Sequence, residues 1–66
     1  MEGRKFTLRQ WRVLAGLSRE KLGNKIGRTP MTIYKWENGQ TQPNATDIAN
    51  LEDALNIVWS RDILMP

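Results

Sequence analysis

The sequence predicts an all-α fold, a compact bundle of four to five short helices, and three observations lead there. Apolar residues recur at helical spacing, as in Ile48, Leu51 and Leu55. Residues that start helices (Thr7, Ser18, and Thr29 with Pro30) stand just ahead of periodic stretches, and Gly16, Gly27 and Gly39 stand near their ends. No segment shows convincing strand alternation. With 66 residues and no linker or repeat, residues 1–66 read as one domain with one small core.

Thr7 is placed to cap a first helix, "LRQWRVLA", with Leu8, Trp11 and Ala15 on its inward face and Gly16 at its end. Ser18 caps a second, "REKLGNKI", whose Leu22 and Ile26 form an apolar pair four residues apart and whose Glu20 lies in the first turn, where the helix dipole favours an acid. Gly23 is out of place inside that helix, where it costs about 1 kcal/mol relative to Ala; close approach of another helix would explain it. After Gly27 and Arg28, Thr29 and Pro30 open a third helix, "PMTIYKWEN". Pro at the first position loses nothing there, since its missing N–H would have had no partner. Ile33 and Trp36 point inward, leaving Met31, Thr32, Tyr34, Lys35 and Asn38 toward the other side. "QTQPN" is a loop, and Ala45 to Leu55 forms a fourth helix with Asp47, Glu52 and Asp53 mostly outside. "VWSRDILM" is a turn or a fifth helix.

Composition removes several functions. Cysteine and histidine are absent, which excludes disulfides, a thiolate nucleophile, an imidazole base and the usual structural zinc ligands. Glu52 and Asp53 are adjacent, hence splayed on a helix, and have no nucleophile beside them. An enzyme is not expected, and neither is a cofactor, a metal or a small-molecule ligand. The N-terminus lacks the apolar run of a signal peptide and no stretch reaches the length of a membrane span, so a soluble, cytoplasmic protein is expected.

The net charge of +3 hides a segregation. Residues 1–35 hold nine Lys or Arg against two acids, a net +7, whereas residues 36–66 hold Arg61 alone against five acids, a net −4. Such a division favours a polyanion on one face, although a solvated basic surface would also account for it.

Two helices joined by a short Gly-containing turn, the second opened by a capping Thr, make a helix-turn-helix arrangement. Leu22, Gly23, Ile26, Gly27, Ile33 and Trp36 occupy the core, small-residue and turn positions that the motif needs. From about Leu8 to Ile57 the chain resembles the lambda-repressor-like, or Cro/CI-type, helix-turn-helix domains of phage and bacterial transcription regulators. The segments that carry the resemblance are "RVLAGLSREKLGNKIG" and "TIYKWENGQTQP". It implies that the third helix enters the major groove of double-stranded DNA while the second lies across the backbone.

Residue roles follow from that resemblance. Lys35 is the candidate for guanine O6 or N7, Met31 and Thr32 for a thymine methyl, and Tyr34 for a base or a phosphate. Pro30 departs from the pattern, since many relatives carry Gln or another polar reader there; readout through its ring would be weak, and its plainer role is to start the helix. Phosphate contacts are expected from Ser18, Arg19, Arg28, Thr29, Asn38, Gln40 and Thr41. Lys21 and Lys25 can equally be solvated charges, and Arg4, Lys5 and Arg9 can edge the groove if residues 1–6 are not simply a flexible arm. Arg12 and Glu37 match a family pair whose partly buried salt bridge is structural.

Trp11 and Trp36 read as core. Trp59, Ile63, Leu64 and Met65 form an apolar cluster in the tail, residues 58–66, which either contacts a second copy or folds back over its own core. The resemblance thus implies a sequence-specific regulator that binds an operator, dimeric at least on DNA. A chain of this length leaves no room for the further domains of larger repressors, so a minimal Cro-type repressor is expected. The alternative from another class is a protein-interaction module of antitoxin or antirepressor type using the same fold.

Overall fold

A computed structural model describes residues 5–64, in which five helices follow one another: α1 (Leu8–Leu14), α2 (Arg19–Ile26), α3 (Pro30–Glu37), α4 (Ala45–Leu55) and α5 (Trp59–Asp62). Among the described residues there is no strand, only an isolated bridge between Phe6 and Ile63.

The first four helices begin where short polar side chains satisfy free N–H groups. Thr7 and Gln10 form a capping box, the Gln10 N–H donating to Thr7 Oγ1 at 3.2 Å and the Thr7 N–H to Gln10 Oε1 at 2.9 Å. Ser18 Oγ accepts from the Lys21 N–H at 3.0 Å and Thr29 Oγ1 from the Thr32 N–H at 3.2 Å. Asn44 and Asp47 make a second box at the head of α4. The last helix has no such side-chain cap; instead two downstream or distant carboxylates serve it, Asp62 Oδ2 accepting from the Val58 N–H and Glu52 Oε2 from the Trp59 N–H, each at 2.8 Å.

Leu22, Ile33 and Leu51, one from each of α2, α3 and α4, are wholly buried, and around them close Leu8, Ile26, Trp36, Leu55, Ile57 and Ile63. The second helix packs against both α3 and α4, and α1 against α3. Gly23 is buried at the tightest point. A Cβ there would collide with the carbonyl oxygen of Arg28, so the close neighbour is the backbone of the turn and not, as the sequence suggests, another helix. Gly27 follows in the left-handed region at φ 75°, which lets α2 end at Ile26 and α3 begin at Pro30, three residues between them.

Two inward assignments change. The first helix ends at Leu14, so Ala15 lies past its last turn and is exposed, and Arg12 takes the buried position one turn after Leu8. Asp47, expected outside, is 5% exposed because its carboxylate both caps α4 and holds Arg28.

The tail folds back on its own chain. The Asp62 carbonyl accepts from the Phe6 N–H at 3.1 Å and from Trp11 Nε1 at 2.8 Å, and the Leu64 N–H donates to the Phe6 carbonyl at 2.9 Å. Phe6 meets Trp11 edge to face, with ring centroids 5.1 Å apart. Ile63 therefore lies in the core of its own chain, 8% exposed, whereas Leu64 is exposed and Trp59 half-buried. Arg4 of the expected arm and Met65 of the expected apolar cluster lie outside the described residues.

Candidate nucleic-acid interface

Burial divides α3 cleanly. Ile33 and Trp36 are inside, whereas Pro30, Met31, Tyr34 and Lys35 are exposed, Met31 by 59% and Tyr34 by 42%. Met31 is thus a large apolar side chain left in water on this helix. Thr32 is half-buried, and its hydroxyl lies 2.9 Å from that of Thr29, so the two threonines support each other at the helix start.

Behind that face is a two-arginine clamp on one carboxylate. Glu37, at the end of α3, has a side chain 2% exposed; Arg12 Nε donates to one of its oxygens at 2.7 Å and Arg19 Nε to the other at 2.9 Å. Arg12 Nη1 also donates to the Leu17 carbonyl at 2.9 Å. Three elements thereby converge on one group: α1 through Arg12, the first residue of α2 through Arg19, and the last of α3. The trio keeps one net positive charge next to the exposed face. The family resemblance implied the pairing of Arg12 with Glu37 and assigned Arg19 to a phosphate; Arg19 as second partner of Glu37 had no signal in the sequence.

Arg19 has a further contact. Its guanidinium carbon lies 5.1 Å from the centroid of the Tyr34 ring, within reach of a cation–π interaction.

The other groups expected near phosphates divide into engaged and open. Arg28 is held by Asp47 through a two-point fork, 2.8 Å from Nε and 3.1 Å from Nη2, although 42% of its side chain stays exposed. Asn38 Nδ2 donates to the Tyr34 carbonyl at 2.9 Å. Ser18 and Thr29 are exposed caps, and Gln40 and Thr41 are exposed in the loop after α3. Among the described residues Lys21, Lys25 and Lys35 are exposed and carry no ion pair. Unforeseen from the sequence are Val13 and Leu14, 58% and 65% exposed, which with Phe6, Arg9 and Gln10 line an open groove on α1.

A helix-turn-helix family model matches residues 8–58. The chain belongs to the helix-turn-helix family. Over 50 residues, 76% of its length, it is 36% identical to an uncharacterized HTH-type transcriptional regulator of Sinorhizobium medicae and, to the same extent, to another of Rhizobium meliloti. The matched part covers 36% of each relative, so this helix-turn-helix chain spans about a third of the length of the curated proteins it resembles. No solved structure gives a significant match.

In the helix-turn-helix, then, α2 and α3 are the paired helices, Gly23 and Gly27 set their junction, and the outer face of α3 carries Met31, Tyr34 and Lys35 in solvent. Among the described residues no group of acids could hold a metal ion, and no helix is long and apolar enough to cross a membrane.

Proposed function

We propose that the chain is a sequence-specific, double-stranded-DNA-binding transcriptional regulator that inserts α3 into the major groove, most like a small Cro-type repressor. The observation that carries this reading is the outer face of α3: Met31, Tyr34 and Lys35 stand in solvent on a helix whose start is capped by Thr29 and whose back is anchored by Ile33, Trp36 and the Glu37 clamp. A rigid backing with an exposed mixed face is what groove reading requires.

Lys35 would donate to guanine O6 or N7, and Met31 and Thr32 would meet thymine methyls. Pro30 chiefly starts the helix. Ser18, Arg19, Arg28, Thr29, Asn38, Gln40 and Thr41 would hold phosphates, with Arg28 reaching out through the part of its guanidinium that Asp47 leaves exposed. The net charge of +3, with Lys21, Lys25 and Lys35 exposed and without an ion pair among the described residues, supports attraction for a polyanion. A dimer on DNA would read half-sites about one helical turn apart, with Leu64 and Trp59 as its contact, and repression would follow where the operator overlaps a promoter. It would act in the cytoplasm of a bacterial cell or phage-infected host.

The test is selection of bound sequences from a random duplex pool at moderate salt, followed by salt titration of the selected site. A short, two-fold symmetric consensus supports the reading. A folded protein that enriches nothing would move the function to protein binding by the same fold.

A further inference from the structure

We infer that Arg19 is a positioning residue for Tyr34, so that the group at the start of α2 helps set which base pair the outer face of α3 prefers. The inference rests on the DNA-binding reading above and adds to it a residue that reads sequence indirectly.

Three features of Arg19 combine. Its Nε is held on Glu37 Oε1 at 2.9 Å, and Glu37 is itself held by Arg12 at 2.7 Å, so the guanidinium is anchored from inside the domain. Its guanidinium carbon lies 5.1 Å from the Tyr34 ring centroid. Among the described residues the two Nη groups make no hydrogen bond, which leaves them able to donate outward to a phosphate. A tyrosine 42% exposed on a helix surface would otherwise sample several rotamers; the guanidinium restricts it to those that keep the ring against Arg19. The same side chain thus joins a backbone contact to the aim of a base reader. Lysine cannot substitute: it keeps the charge but lacks the planar fork that allows one group to bind Glu37 edge-on and the ring by its proximity.

The test uses the full chain with R19K, Y34L and the double variant, each checked for helical circular dichroism and thermal midpoint. Without DNA, the Arg19 Nε proton should shift downfield in Y34L, as the ring current is removed; an unmoved resonance overturns the inference. With DNA, selection from a random pool should show R19K and Y34L losing preference at the same base pair. The double variant should lose no more than either alone, a departure from additivity of about three- to ten-fold in affinity for the wild-type site. A consensus for R19K identical to that of the wild type, or a loss at a different base pair from Y34L, overturns the positioning role and leaves the DNA reading intact. A wild type that selects no consensus overturns the DNA reading and this assignment with it.

Discussion

The guanidinium of Arg28 grips the carboxylate of Asp47 at two points, 2.8 and 3.1 Å, joining the turn between α2 and α3 to the start of α4. Asp47 also accepts from the Asn44 N–H at 3.2 Å, so one buried carboxylate closes a capping box and an ion pair together. Asp47→Ala removes both and should destabilise the domain by about 1 to 3 kcal/mol, whereas Arg28→Ala keeps the box and should cost less. Urea unfolding of the two variants gives the order; equal losses would mean that the cap contributes nothing.

Glu37 should be the most sensitive polar position in the fold. Glu37→Ala leaves Arg12, 8% exposed, without its carboxylate, and breaking a buried pair in this way costs about 3 to 5 kcal/mol. In a domain of this size that approaches the whole stability. Arg19→Ala should cost about 1 kcal/mol or less, because its side chain is 36% exposed and Arg12 still neutralises Glu37. Denaturant midpoints that placed Arg19→Ala below Glu37→Ala would reverse the roles assigned to the two arginines.

Gly23→Ala should destabilise, although Ala favours a helix over Gly by about 1 kcal/mol. The added methyl meets the Arg28 carbonyl oxygen, a backbone atom that cannot rotate away, and the turn must move. We expect a net loss of about 1 to 3 kcal/mol, typical of overpacking. A variant as stable as the wild type in guanidinium would show that the turn is compliant.

Acid should weaken the tail. The Asp62 carboxyl is held below the ordinary aspartate range, first by its hydrogen bond from Arg61 and then by the Val58 N–H. Because its folded-state pKa is the lower one, the stability it lends is complete above about pH 4, where unfolded aspartates titrate, and is lost as pH falls through the folded value. Asp62→Asn should flatten that limb of the stability curve. Unfolding midpoints of both proteins from neutral pH to about pH 2.5 provide the comparison, and parallel curves would remove Asp62 from the account.

Lys35→Ala should lower affinity for a selected site by about 1 to 3 kcal/mol and relax preference at one base pair. Fluorescence anisotropy on selected and random duplexes separates the cases. An equal loss on both would make Lys35 a phosphate contact.

The sequence by itself determined where the first four helices start, because caps act over three or four residues: Thr7, Ser18, Thr29 and Asn44 each bond the N–H three positions on, and Gly27 ends α2 in the left-handed region. The all-α class and the helix-turn-helix junction follow from those local rules together with the spacing of Leu22, Ile26, Ile33 and Trp36. What only the tertiary structure decided are pairings over long separations. Asp47 turned inward because Arg28, 19 residues earlier, was there to meet it; Arg19 was drawn to Glu37 and Tyr34; and Ile63 joined the core because Phe6 and Trp11 bind the Asp62 carbonyl beside it. Periodicity ranks such side chains by polarity alone, whereas a buried charge is stable only if the fold supplies its partner, and that partner is chosen by how the helices pack.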